Sequence, residues 1–190
     1  MRTFIAIDLP DAARIELSKL IARLNREAAA DVKWVEIENL HLTLKFIGHA
    51  AEPQIGEIKK ILEKLTAAKK PFRVRLAGLG AFPNTRRPRV IWAGVEEGRK
   101  PLENLANEVI SEVEKLRIEK ELPPFQAHLT LGRVRSPIKI HQLADALEKT
   151  SFQSAAGFEV DRITYYRSTL SSERAVYEPI ASFRFGAGGD

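Results

Sequence analysis

The chain has 190 residues, of which 44% are apolar and 29% charged, a balance that suits a soluble globular protein with a well-formed core. It contains no cysteine, which excludes disulfides, thiolate metal sites and a cysteine nucleophile, and no stretch approaches the roughly 20 apolar residues of a membrane span. A formal net charge of +5 and a pI of about 9.5 favour an anionic partner, although ordinary surface charge accounts for such values equally well.

The start of the chain enters a strand-like run too short for a signal peptide and interrupted by Asp8, so a cytoplasmic protein is expected. Residues 2–9 alternate Ile5, Ile7 and Leu9 with polar or small partners and read as a strand. Pro10-Asp11 opens a helix, proline in its first turn and aspartate at the positive end of the dipole, with Leu17, Leu20, Ile21 and Leu24 as the apolar stripe. A strand over 40–47 follows, containing His41-Leu42-Thr43-Leu44 and ending at Gly48. Glu52-Pro53 starts a second helix with Ile55, Ile58, Leu62 and Leu65 facing inward. Phe72, Val74 and Leu76 alternate with Arg73 and Arg75 as a half-buried strand, and 81–89 is a basic loop.

The same order then recurs. Residues 88–95 read as a strand, and Pro101 opens a helix carrying Leu102, Leu105, Val109, Val113 and Leu116. A strand over 125–134 contains His128-Leu129-Thr130-Leu131, identical to the first tetrapeptide. A shorter helix with Ile140, Leu143 and Leu147 follows Pro137, then a strand over 158–166, then one over 176–185 with Tyr177, Phe183 and Phe185 on one face; the glycine-rich end is expected to be loose. Arg2 precedes His41 by the 39 residues that separate Arg89 from His128, so the repeat spans about 87 residues (128 − 41). A unit of that length with two helices suits two pseudo-symmetric lobes rather than a solenoid.

The predicted fold is therefore α+β: a single bilobal domain, 1–190, built from two β-α-β-α-β repeats at about 2–80 and 89–185. Antiparallel-rich sheets would line a central cleft with helices outside, and an exchange of strands between the lobes is left open. On a strand, His and Thr of each tetrapeptide share one face while the leucines share the other. Two such strands facing one cleft would set two imidazoles on either side of a substrate. Neutral and protonated imidazole coexist near pH 7, so one can remove a proton from a nucleophile while the other protonates a leaving oxygen. Thr43 and Thr130 can donate to anionic oxygens held between them. Symmetry does not say which histidine is acid and which is base.

The doubled His-x-Thr-x motif in a duplicated chain of this length resembles the two-histidine (2H) phosphoesterases, and among them the RNA 2′,3′-cyclic phosphodiesterases, historically called 2′-5′ RNA ligases. The stretches that carry the resemblance are Arg2-Thr3-Phe4-Ile5-Ala6-Ile7, Trp34 through Gly48, Pro88 through Trp92, and His128 through Arg133. The resemblance implies hydrolysis of an RNA 2′,3′-cyclic phosphate end to a 2′-phosphomonoester; the two-histidine chemistry itself calls for no metal or cofactor, and with no oligomeric signal in the chain a monomer is expected. It implies His41 as proton donor, His128 as proton acceptor, and Thr43, Thr130 and Arg133 as phosphate ligands. Strict alternation puts Arg133 opposite His128, so its role needs a twist or bulge at Gly132. Ala127 stands where the family usually has proline. Two alternatives stay open, namely reversible 2′-5′ RNA ligation in the same site and a non-catalytic module that binds RNA ends. A nucleotide substrate such as ADP-ribose 1″,2″-cyclic phosphate is a further option within the wider family.

Blander readings accompany these. Threonine is a common strand former, and Arg133 could be a plain surface charge. His49 and His141 read as non-catalytic, and the four histidines have no metal-ligand spacing. Lys45 shares His41's face by alternation and would either approach the phosphate or be solvated. Arg86, Arg87 and Arg89 could meet an RNA backbone, and Phe82 could stack on a base, whereas Trp92 sits in an apolar strand and reads as structural.

Overall fold

The computed structural model describes residues 1–120, 124–170 and 174–186. The glycine-rich end, 187–190, lies outside the described residues. Along the chain run β1 (Arg2–Asp8), α1 (Asp11–Ala28), β2 (Val32–Trp34), a 3-10 turn (Ile37–Asn39), β3 (His41–His49), α2 (Glu52–Ala67), β4 (Phe72–Phe82), β5 (Val90–Glu97), α3 (Arg99–Glu114), β6 (His128–Val134), α4 (Ile140–Lys149), β7 (Phe158–Val160), β8 (Arg162–Leu170) and β9 (Ala175–Arg184).

Each helix buries the apolar stripe its sequence spells out. Leu17, Leu20 and Leu24 are buried from α1, Ile55, Ile58 and Leu62 from α2, and Leu102, Leu105, Val109 and Val113 from α3. Helix α1 packs with α4, and α2 with α3. The strands form two antiparallel sheets, one in the order β3-β1-β8-β9 and one in the order β2-β6-β5-β4-β7. The α+β architecture expected from the repeat is thus present.

The sheets do not follow the halves of the chain. β4, from the first half, pairs with β5, while β8, from the second half, pairs with β1. The first sheet therefore joins β1 and β3 of the first half to β8 and β9 of the second, and the other sheet takes β2 and β4 from the first half.

Four details differ from the sequence reading. The strand expected over 158–166 is two strands in two sheets. β7 pairs with β4, and β8 with β1 and β9, the break falling at Asp161, whose carboxylate takes Arg162 and Arg184. The apolar positions switch parity there, from Phe158 and Val160 to Ile163 and Tyr165, because the two stretches bury opposite alternations. Strand β2 and the 3-10 turn were not anticipated, both being too short to show a period. Ordered strand geometry around the second motif begins at His128 rather than at residue 125. In β9 a bulge between the partners of Tyr165 and Tyr166 separates the aromatics. Tyr177 pairs with Ser168 on the cleft face, while Phe183 pairs with buried Ile163 on the other.

Candidate active site

The two tetrapeptides begin β3 and β6 with the same local geometry. His41 Nδ1 lies 2.6 Å from the carbonyl oxygen of Asn39, and His128 Nδ1 lies 2.7 Å from that of Gln126. A carbonyl oxygen only accepts, so Nδ1 carries the proton in both rings and Nε2 is left to exchange a proton with a bound group. In each strand the first and third residues of the motif are part-exposed and the two leucines are buried.

Immediately after, both strands depart from period two in the same way. The β1–β3 ladder slips between Ile5–Lys45 and Ala6–Thr43, leaving Leu44 as the extra residue. The β5–β6 ladder slips between Ile91–Gly132 and Trp92–Thr130, leaving Leu131. A bulge turns two successive side chains to the interior and returns the next to the opposite face. Phe46 and Arg133 are therefore the side chains that come back to the cleft. The bulge that Arg133 requires is present one residue before Gly132, and Arg133 lines the cleft.

The same bulge overturns both readings of Lys45. It is neither solvated nor on the imidazole face: its side chain is 0% exposed, and Nζ donates to the Glu119 carbonyl at 3.0 Å and meets the Glu114 carboxylate at 3.4 Å. At the matching place in β6 stands Gly132, where a Cβ would lie 2.8 Å from Trp34 and from Val32 of β2.

Strands β3 and β6 run beside one another, and the space between them is two joined cavities. One, of about 280 Å³, lies on the His41 side and includes Arg2, Asn39, Ser168 and Tyr177 in its wall. The other, of about 700 Å³, lies on the His128 side against Phe82, Pro83, Val90 and Phe125. Thr43, Phe46, Thr130 and Arg133 belong to both walls, so hydroxyls and a guanidinium stand at the junction between the imidazoles. Phe46, 52% exposed, presents an aromatic face there.

Rings hold both imidazoles in place. His41 stacks on Phe4 with centroids 4.9 Å apart and meets Tyr177 edge-on at 5.4 Å. His128 meets Phe82 edge-on at 5.0 Å, and Trp92 lies 6.5 Å away. The 3-10 turn that supplies Asn39 is itself pinned, Arg14 donating to the Glu38 carbonyl at 2.9 Å and Asn39 Nδ2 to that of Ala175 at 2.9 Å. Burial pushes both imidazoles below the ordinary histidine range, opposed in each case by the backbone hydrogen bond at Nδ1. Asp8 acts on His41 to raise its pKa and Arg14 to lower it, while Arg133 acts on His128 to lower it.

All five side chains singled out from the sequence (His41, His128, Thr43, Thr130 and Arg133) line this cleft. His49 ends β3 and His141 lies on α4, both exposed and away from it. Trp92 packs its ring over the Gly80 backbone, where a Cβ would come within 2.2 Å. Asp8, Arg14, Phe46 and Tyr177 were not recognised as parts of the site. Asp8 carried a signal, a charge at the end of an apolar strand, whereas the others become neighbours only through tertiary packing. Among the described residues no three His, Asp or Glu side chains converge in a way that could hold a metal ion.

The chain is similar to known proteins over nearly its whole length. The family model described as LigT like Phosphoesterase matches residues 7–92 and 94–177, one segment in each half of the chain. A protein of Archaeoglobus fulgidus named RNA 2′,3′-cyclic phosphodiesterase is 36% identical over 96% of this chain and 99% of its own. Among solved structures, a Thermus thermophilus protein superposes with a TM-score of 0.82 at 28% identity, covering 98% of both chains. Escherichia coli LigT complexed with 3′-AMP superposes with a TM-score of 0.77 at 26% identity, covering 97% of both.

Proposed function

The chain belongs to the LigT-like phosphoesterase family, and we propose that it opens the 2′,3′-cyclic phosphate ends of RNA to 2′-phosphomonoesters by metal-independent acid–base catalysis between His41 and His128. The observation that carries this reading is the matched pair of Nδ1-tethered imidazoles on either side of Thr43, Thr130 and Arg133. Relatives named RNA 2′,3′-cyclic phosphodiesterase over nearly the whole chain support the substrate class.

In this reaction His128 Nε2 takes a proton from water as its oxygen forms a bond to phosphorus. The bond from phosphorus to the 3′ oxygen breaks, and His41 Nε2 gives its proton to that oxygen. The products are a 2′-phosphate and a 3′-hydroxyl, and exchange with solvent resets the two rings. Thr43, Thr130 and Arg133 meet the non-bridging oxygens, fixed donors that oppose the charge growing on the phosphoryl group.

Incubation with an RNA ending in 2′,3′-cyclic phosphate, in the presence of EDTA, tests the proposal. The expected product is the 2′-phosphate, and His41→Ala or His128→Ala lowers kcat by about 10²–10⁴-fold each with the fold retained. Wild-type turnover in His128→Ala, or a 3′-phosphate product, overturns it. A module that only binds RNA ends would hold the cyclic phosphate and release no product.

One observation favours a second reaction in the same cleft. The cavity of about 700 Å³ beside His128 is far larger than an attacking water needs and falls in the size range of small-molecule sites. A nucleoside placed there could offer its 5′-hydroxyl in place of water, which would give a 2′-5′ linkage. Supplying a 5′-hydroxyl RNA and assaying for 2′-5′-joined product tests that reading separately.

A further inference from the structure

The two halves carry the same motif, yet the charges around the two imidazoles differ. Asp8 ends β1 as the ladder partner of His41. Its carboxylate is fixed on the cleft face by Thr164, whose Oγ1 donates at 2.8 Å, and by the Tyr166 hydroxyl. Tyr166 stacks on Phe4 with centroids 5.2 Å apart, and Phe4 in turn on His41. In the second half the ladder partner of His128 is Gly94, and the residue matching Asp8 across the repeat is Val95, buried and apolar. The charge beside His128 is the Arg133 guanidinium, and at its matching place beside His41 stands Phe46.

We propose that Asp8 is a positioning residue that reserves the proton for His41. Together with Arg133 at the other imidazole, it decides which of two symmetric histidines enters the reaction as acid and which as base. The inference rests on the two-histidine reading above and supplies the asymmetry that the repeat lacks.

The reason is electrostatic. A carboxylate near an imidazole stabilises the imidazolium, and a guanidinium destabilises it, both more strongly in a half-buried cleft than in water. The titratable and charged groups around His41 are Asp8 from β1, Arg14 from α1 and Tyr177 from β9, with Tyr166 of β8 behind Phe4 and Arg2 and Arg133 on the cavity wall. Of those named, Asp8 is the anion. Arg14 opposes it but is turned to the carbonyls of Leu9 and Glu38, and its influence on the ring is the smaller of the two. Tyr166 and Thr164 donate to the Asp8 carboxylate.

The test is an NMR titration of histidine-labelled protein without substrate, so that its outcome is independent of whether the proposed reaction occurs. Asp8→Asn is expected to lower the His41 pKa by about half a unit or more and leave His128 unmoved. Asp8→Glu should restore the wild-type value. Tyr166→Phe, which leaves Asp8 its carboxylate and its Thr164 hydrogen bond, should lower His41 by less than Asp8→Asn does. Arg133→Met should raise His128 by a comparable amount and leave His41 in place, and this arm decides the matter if Asp8→Asn does not fold. In turnover, the alkaline limb of kcat/KM should move acid in Asp8→Asn by the shift seen at His41. An unchanged His41 titration in Asp8→Asn, an equal fall in Tyr166→Phe, or no rise of His128 in Arg133→Met overturns the proposal. Loss of the reaction reading alone would show as full turnover in His41→Ala and His128→Ala while these titration shifts persist.

Discussion

His41 and His128 are tethered imidazoles partly removed from water, and their pH behaviour follows from that. The proposed reaction needs His41 protonated and His128 neutral, so kcat/KM falls on the alkaline side as His41 loses its proton and on the acid side as His128 gains one. Burial depresses both, so both limbs should lie acid of the ordinary histidine value of about 6.5. A pH–rate profile checks this, and an alkaline limb above that value contradicts the depression of His41. The same depression makes a stability statement. Below about 6.5 the unfolded chain holds more protons than the folded one, so the histidines' contribution is complete above that pH and lost as pH falls through their lowered folded values. Urea midpoints measured from pH 8 down to pH 5 should fall in the wild type and fall less in His41→Gln. A steeper acid loss in that variant contradicts the argument.

Among elements, the two bulged strands decide what the motif presents. The tetrapeptides announce which residues share a face, and in β3 and β6 that face is honoured through the threonine. Alternation then fails at Leu44 and Leu131, and with it the expected place of Lys45. Lys45 instead joins β3 to the end of α3 and to the Glu119 carbonyl, beside the segment that leads to β6. Truncation by Lys45→Ala leaves a cavity in place of a fully buried side chain and strips a donor from two part-buried acceptors, so a loss of about 2–4 kcal/mol is expected by urea denaturation. A change below about 0.5 kcal/mol, typical of a surface position, would refute that assignment. Gly132→Ala drives a methyl into Trp34 and Val32 and should cost about 1–3 kcal/mol, because β2 must move from β6. The Trp34 fluorescence should change with it.

For the whole molecule, the exchange of β4 and β8 joins the halves at the level of the backbone. Each sheet needs strands from both, and the cleft lies where the edge strand β3 meets β6. A fragment ending in the 83–89 loop would leave β4 without β5 and β1 without β8. Residues 1–85 and 86–190 should each lack cooperative unfolding alone and regain it when mixed or co-expressed. Circular dichroism and denaturant titration of the separate and combined fragments check this; a cooperatively folded single fragment contradicts it. No helix among the described residues is long and apolar enough to cross a membrane.

The sequence by itself determined the repeat, the helices with their buried stripes, the pairing of His41 with His128, and the two threonines, because these are carried by local period and by an identical tetrapeptide. Tertiary structure decided the rest. Bulges at Leu44, Leu131 and Ile180 re-aimed Arg133, Lys45 and Tyr177, since a bulge depends on the partner strand's register and leaves no mark on alternation. The parity switch at Asp161 assigned one apparent strand to two sheets. The setting of Asp8 beside one imidazole and Arg133 beside the other required strands far apart in sequence to meet, and that meeting gives two identical motifs unequal surroundings.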